Sequence, residues 1–314
     1  MQDFPIPPVP MTGLVQPVPN TRYPLLGLVT WNVNGLCRKL PDIDAFHRSF
    51  GMPQIWCFQE TKCEIFPKIP GYVHYGSAFR QPAHHGVAIY VREDFPSVRL
   101  DVHPELNGHA IAIQLVSGPI IVSAYVKNSG TIPHDVDIYA YFKMCENLRH
   151  FEASRAMIMA TVSAGDLNNG FRMIHDVLFW HAVEELNLNF NSGGQLIVAG
   201  DMNTCLNIDD HHSGKKCETV PGLRSYESAN MSSGMNICKL QDAYVHYAKI
   251  HKRLDHEKWT FWPSRGGCSL KSSESKPNGS GWRLDYILAQ NLIFSDVKVL
   301  KTNMTDHSPL ALYF

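Results

Sequence analysis

The chain has 314 residues, 44% of them hydrophobic and 18% charged, and its 28 basic and 29 acidic side chains leave a formal net charge of −1. That length supports a sizeable core in one large domain or two small ones. The near-zero charge excludes a global positive field for drawing in nucleic acid, so any polyanion site must be local.

Eight cysteines form no CxxC pair, and several lie in apolar runs such as IWCFQE, which points to a reducing compartment. No basic segment followed by an apolar block opens the sequence and no transit peptide is evident. The expected location is therefore the nucleus or the cytosol, with no membrane as partner and a monomer as the expected state.

Residues 1–24 hold seven of the 20 prolines, which sustain neither a helix nor a sheet ladder, so they are expected to form a flexible arm ahead of one domain spanning 25–314. The first β-like run, LLGLVTWNVNG, carries Asn32 and Asn34, two apart on an expected strand and hence on one face. QIWCFQETK follows and ends on Glu60 and Lys62, and GVAIYVRE is the third run. The longest apolar stretch, AIAIQLVSGPIIVSAYV, is broken by Ser117, Gly118 and Pro119, so it predicts a hairpin and not a membrane span. Its end delivers Tyr125 and, past Lys127, Asn128.

DIYAYFKMCENLRHF then has helical spacing, with Ile138, Tyr141, Phe142, Cys145 and Leu148 on one face. RMIHDVLFWHAVEELN repeats the pattern with Ile174, Val177, Leu178, His181 and Leu186. QLIVAGDMN is a strand ending on Asp201 and Asn203, and DDHH at 209–212 is expected to be a polar turn, since adjacent loop residues rarely converge on one ion. Two Gly- and Ser-rich stretches, 213–222 and a predominantly basic 264–281, are expected to be long surface loops that contact a partner. RLDYILAQ, with Asp285, and VKVLKTNMTDHSPL, with Asp306 and His307, complete the series.

Carboxylates, amides and one imidazole at strand ends are what phosphodiester hydrolysis needs: a water made more basic, a cation to neutralise the transition state, and in-line geometry. Hard oxygen donors without a Cys/His cluster at zinc spacing favour Mg²⁺, with Mn²⁺ as a substitute. Glu60 closes an apolar run, where an unpaired carboxylate would be costly to desolvate. It has two readings, a metal ligand or a salt bridge to Lys62 or Arg38.

Taken in order, the phrases TWNVNGL, FQETK, SAYVKNSG, GDMN, WRLDYIL and TDHSPL resemble the endonuclease/exonuclease/phosphatase superfamily. QETK, GWRLDYIL and DHSPL most resemble its exonuclease III class of apurinic/apyrimidinic endonucleases. The resemblance implies a deoxyribonuclease I-like, four-layer α/β sandwich with two packed mixed β-sheets flanked by helices. It also implies a Mg²⁺-dependent enzyme that cuts DNA 5′ to abasic sites, with exonuclease or 3′-end cleaning as a companion activity.

By the same resemblance Glu60, Asn32, Asn34 and Asp306 hold the metal, and Asp285 holds His307, which donates to the scissile phosphate. Tyr125 and Asn203 lie against that phosphate, Asp201 orients the attacking water, and Asn128 contacts substrate. Phe261, Trp282 and Leu284 stand where the family lines a slot for a flipped abasic sugar. Two departures are visible: Asn34 where many members carry Asp, and Lys127 where they carry Pro, which places an extra cation beside the expected phosphate site.

SAGDLNNG at 163–170 imitates VAGDMNTC at 198–205, so Asp166 competes with Asp201. Asp166 has the family's usual gap from Tyr125, whereas Asp201 has its usual gap to Asp285, and either choice implies one insertion of about 35 residues. The β-branched QLIV before Asp201 is strand-like, whereas EASRAMIMATVSA before Asp166 is Ala- and Met-rich and suits a helix. Asp201 is therefore assigned to the site, Asp166 to a turn or helix cap, and residues 131–170 to an insertion. Three alternatives share these motifs: a retrotransposon-type endonuclease nicking intact DNA, a phosphatase acting on lipid or nucleotide phosphates, and an inactive DNA-binding protein.

Overall fold

The computed structural model describes residues 26–314 except 80–84, 117, 129–136, 191–194, 212, 213, 215, 216, 253–257, 263–280, 292, 293 and 301–304. The proline-rich arm and nearly all of the 264–281 stretch lie outside the described residues.

The apolar runs become strands buried on both faces. One sheet holds β1 (Leu26–Asn32), β2 (Ile55–Gln59), β3 (Tyr72–Ser77), β4 (Val87–Arg92), β11 (Asp296–Val299) and β12 (Leu310–Tyr313), in the order β11-β12-β1-β2-β4-β3. The other holds β5 (Ser97–Leu100), β6 (Ala110–Leu115), β7 (Ile120–Tyr125), β8 (Leu196–Asp201), β9 (Gln241–Asp242) and β10 (Asp285–Ala289), in the order β5-β6-β7-β8-β10-β9. Both sheets are mixed, with β1–β2 and β7–β8 as parallel pairs.

Side chains alternate between two cores because successive strand residues face opposite sides. Leu28, Ile55 and Ile89 of the first sheet meet Ile113, Ile121, Ile197 and Ile287 of the second. On the first sheet's outer face, Trp31, Trp56, Phe58 and Tyr90 pack with Ile43 and Phe46 of α1 (Leu40–Phe50). On the second sheet's outer face, Val122, Val198 and Leu288 pack against α2 (Ile138–Cys145), α3 (Arg149–Ser163), α4 (Leu167–Phe190) and α5 (Ser225–Ile237). The four layers of the deoxyribonuclease I-like sandwich are thus present. α6 (Ala243–His251) adds Ala243 and Tyr244 to the inter-sheet core.

Parallel β7 and β8 cannot be joined by a hairpin and need a crossover, which α2, α3 and α4 supply. The described part of the segment expected as an insertion, 137–170, folds onto the body, since Ile138, Cys145, Ile158 and Val162 are buried in the same core as α4. Its first helix is shorter than the periodicity suggests, because α2 stops at Cys145 and α3 begins at Arg149. The final run is likewise two strands and not one. β11 ends at Val299 and β12 begins at Leu310, so His307 lies in the turn entering β12 and not at a strand's close. Among the described residues no helix is long and apolar enough to cross a membrane.

Candidate active site

Strand pairing places the second sheet's contribution. Asp201 at the end of β8 lies beside Tyr125 in the parallel ladder and directly opposite Asp285 in the antiparallel one, so neighbouring side chains leave the same face. The first sheet adds Asn32, the last residue of β1, and Glu60, the residue after β2. Asn32 joins the two halves: its Nδ2 donates to Glu60 Oε1 at 3.0 Å and to Asp201 Oδ2 at 3.0 Å. An amide with two donors suits this post, since it satisfies two carboxylates in a site from which water is excluded.

Asn34 does not share the strand face with Asn32, because β1 ends at Asn32 and Asn34 turns into the left-handed region at φ 47°. Its Oδ1 accepts from Lys62 Nζ at 2.6 Å, and the same ammonium is 2.9 Å from Glu60 Oε2. Glu60 therefore makes the salt bridge to Lys62 that was one of its two readings, and it also faces the site. Among the described residues, five of the eight non-glycines with positive φ surround this cleft: Asn34, Glu60, Lys62, His85 and Asn203. Such backbone costs about 1 kcal/mol or more each and persists only where the surroundings over-determine it. Here Gly35 N–H donates to Glu60 O at 2.8 Å, and Lys62 N–H to His85 O at 2.8 Å.

His307 Nδ1 is 2.8 Å from Asp285 Oδ2, and its Nε2 stands 3.8 Å from Asp201 Oδ2. Burial alone would strip the imidazole of its proton, but Asp285 and then Asp201 overcome it and raise His307 to about 10. Asp201 is raised to about 7, first by burial and further by Asp285, with the His307 charge opposing. Burial also holds the Tyr125 phenol protonated, well above its ordinary range, with the charges of Glu60 and Asp201 adding to the effect. Glu60 stays below the usual carboxylate range: burial pushes it up, but the bonds from Asn32 and Lys62 outweigh that.

The ligand atoms of Asp201, Asp285 and His307 lie within 4.8 Å of one another, the spacing of a group able to hold a metal ion. Asp285 Oδ1 is buried without a hydrogen-bond partner. Asp306 is half-buried, and its charge is one of those that raise His307. Asn203 takes φ 47°, donates its N–H to Asp201 Oδ1 at 2.9 Å and its Nδ2 to Val126 O at 2.9 Å, which fixes the turn after β8.

Phe261, Trp282 and Leu284 do come together, with Cys205 and Leu223, and the Phe261 ring lies 4.8 Å from that of His307. Asn128 is exposed, three residues beyond β7, and does not join the cluster. Lys127 is not the phosphate-side cation expected of it. It is buried, with its ammonium 4.5 Å from the Phe171 ring of α4, and desolvation lowers it to about 8.

Asp166 is far from this chemistry in kind: exposed, it accepts Asn169 N–H at 3.2 Å at the start of α4. The 209–212 stretch is only partly a polar turn. Asp210 is buried, caps a short 3₁₀ turn through Asn207 N–H at 2.9 Å, and lies 3.6 Å from Arg283. Arg283 is itself fully buried and pairs with both oxygens of Asp242 at 2.6 Å.

The sequence reading passed over three supports. Thr305 Oγ1 accepts His307 N–H at 3.0 Å and Trp31 Nε1–H at 3.2 Å, so it and Trp31 fix the turn that carries the imidazole. The imidazole of His85 stacks on Tyr125 with centroids 5.0 Å apart. Trp31 and Thr305 directly flank quoted motif residues, which was the available signal; His85 had none.

Residues 29–307 match the family model described as Endonuclease/Exonuclease/phosphatase family. Exodeoxyribonucleases from two strains of Streptococcus pneumoniae are each 27% identical over 169 residues, covering 52% of this chain and 56% of theirs. The chain thus spans about half the length of the curated relatives it matches. Two solved structures share the fold at 20% identity. The 3′ phosphatase NExo from Neisseria, bound to product DNA hairpin, has a TM-score of 0.63 over 92% of this chain and 99% of its own. The 3′-5′ exonuclease NExo of Neisseria meningitidis has a TM-score of 0.61 over 91% and 98%.

Proposed function

The chain belongs to the endonuclease/exonuclease/phosphatase family, and from that premise we propose that it is a Mg²⁺-dependent DNA phosphodiesterase cutting 5′ to abasic sites. The carrying observation is the buried Asp285–His307 pair facing Asp201 across 3.8 Å, beside a packed cluster of Phe261, Trp282 and Leu284. That separation is too long for a hydrogen bond and leaves His307 Nε2–H free to donate to a phosphate oxygen. Asp285 holds the imidazole charged and oriented. A buried carboxyl near neutrality suits Asp201 to take the proton of the attacking water at working pH. Tyr125, kept as a phenol, and Asn203 donate to the reacting group.

The donor set fits a hard cation: Glu60 offers a carboxylate with 21% of its side chain exposed, and among the described residues Asn32 Oδ1 accepts only Asn34 N–H, at 3.2 Å. Glu60 and Asn32 would hold the ion, which when bound supplies Lewis-acid stabilisation of the phosphoryl oxygens. Asn34 is engaged by Lys62 and, with Asp306, takes an outer position. The part-exposed rings of Phe261 and Trp282 beside His307 form the slot that this reading assigns to a base-free sugar, which needs less room than a stacked nucleotide.

A second reading, removal of phosphate or nucleotides from 3′ ends, draws on the exodeoxyribonuclease and 3′ phosphatase names of the similar proteins. Cleavage of three 5′-labelled duplexes separates them: one with an internal tetrahydrofuran, one intact, one ending in 3′-phosphate, each with Mg²⁺, Mn²⁺ or EDTA. The proposal expects a single metal-dependent cut at the tetrahydrofuran. Equal cutting of the intact duplex would favour an unspecific nicking enzyme, and release of 3′-phosphate alone the end-processing reading.

A further inference from the structure

Residues 260–262 run between the two halves of the catalytic pair. On one side, the N–H groups of Thr260 and Phe261 both reach Trp282 O at 2.9 Å, and Trp282 N–H returns to Phe261 O at 2.9 Å. On the other, Trp262 N–H donates to Asp306 O at 2.9 Å and Ser308 N–H to Thr260 O at 2.7 Å, so the segment brackets His307 from both neighbours. Thr260 is fully buried, and its hydroxyl oxygen accepts two backbone protons, from Leu284 N and Asp285 N, at 3.1 Å each. Through one side chain and one carbonyl, Thr260 is therefore tied to the residue carrying the Asp285 carboxylate and to the residue after His307. The next residue, Phe261, puts its ring 4.8 Å from the imidazole and 6.0 Å from that of Trp282.

Three consecutive residues thus hold Phe261 of the assigned slot, the strand end that carries Asp285 and the turn that carries His307. A strap bonded on both edges has little freedom to shift one edge alone, because each buried backbone bond it would break leaves an unpaired group. We propose that residues 260–262 couple filling of the Phe261/Trp282 slot to the alignment of His307, with the Thr260 hydroxyl as the positioning group that pins Asp285. This deepens the proposed function and rests on it. Thr260 touches neither substrate nor metal; it acts through Asp285 and His307. A sugar seated against Phe261 loads the strap and holds Asp285 and His307 in the alignment they already have, so recognition favours turnover and not binding alone.

The test compares wild type with Thr260→Val, which keeps shape and removes the hydroxyl, and Thr260→Ser, which keeps the hydroxyl. The ratio of kcat on a tetrahydrofuran duplex to kcat on a duplex that leaves the slot empty is the readout that a merely structural role would not move. Thr260→Val should lower that ratio about tenfold or more with KM within about threefold, and Thr260→Ser should restore it. A ratio unchanged in Thr260→Val, or lost equally in Thr260→Ser, overturns the coupling.

Should the wild type cut no DNA, the function fails separately, and the low-field proton resonance of His307 Nδ1–H still decides the strap: it should be present in wild type and Thr260→Ser and broadened or lost in Thr260→Val. An unaltered resonance in Thr260→Val overturns the pin. Should Thr260→Val not fold, hydrogen exchange of the wild type decides. The amides of Leu284, Asp285 and Ser308 should slow together when the tetrahydrofuran duplex is added in EDTA, and independent behaviour overturns the proposal.

Discussion

Asp201 is buried at the end of β8 with a second carboxylate, Asp285, opposite it, and this raises its carboxyl from 3.8 to about 7. A carboxyl raised on folding binds its proton more tightly in the folded state, so its effect on stability is most favourable below about pH 4, worsens as pH rises through about 7, and is constant above. Asp201→Asn removes that penalty. In EDTA the melting temperature of Asp201→Asn relative to wild type should therefore rise between pH 4 and pH 8; a difference independent of pH contradicts the assignment. His307 carries the opposite balance. Raised from 6.5 to about 10, it contributes stability that is fully present below about 6.5 and lost as pH rises through 10. In urea melts, His307→Gln should therefore cost most near pH 6 and least near pH 10, whereas a cost independent of pH would mean that the imidazole is neutral in the fold.

The two Gly-Asp phrases show how elements give one wording two meanings. Gly165 ends α3 at φ 83°, with nothing near where a Cβ would stand, and Asp166 then starts α4. Gly200 lies inside β8, and a Cβ there would sit 1.9 Å from Ala124 O of β7. Gly165→Ala should cost about 1 kcal/mol of left-handed strain and leave turnover intact. Gly200→Ala should cost several times that and disturb Asp201, since a backbone carbonyl has to move. Chemical unfolding with parallel activity assays checks both, and similar losses at the two positions would refute the distinction.

Element by element, the chain was legible where apolar runs were long. β1, β2, β4, β6, β7, β8 and β10 coincide with runs visible in the sequence because both faces are buried. β3, β5 and β9 went unseen: β3 and β5 are edge strands with runs of part-exposed or exposed residues and no clean alternation, and β9 is two residues long. β12 was merged with β11, which displaced His307 from its turn. Lys127 and Asp210 misled for a common reason: pattern treats a charge as surface, whereas here a ring of α4 and a buried arginine receive them.

At the scale of the molecule, the site exists only where the two sheets close. One sheet supplies Asn32 and Glu60 and the other Tyr125, Asp201 and Asp285, and the Asn32 amide spans the join. The order of the motifs made this convergence legible without coordinates, while the coupling of the halves through the Asn32 amide is a three-dimensional fact that no spacing encodes. Replacing Asn32 by Leu leaves Glu60 and Asp201 facing one another without the donor they share. Turnover should fall by about a hundredfold or more and Mg²⁺ binding should weaken, as isothermal titration would show; unchanged Mg²⁺ affinity would place the cation elsewhere.

The central claim, that a buried Asp201–His307–Asp285 cleft hydrolyses DNA phosphodiesters with a metal bound nearby, is tested most directly by cleavage of a labelled tetrahydrofuran duplex with wild type, Asp166→Asn and Asp201→Asn, each in Mg²⁺ and in EDTA. The account predicts a cut that requires Mg²⁺, survives Asp166→Asn and disappears in Asp201→Asn. Cleavage that persists in Asp201→Asn, or that is lost only in Asp166→Asn, would contradict it.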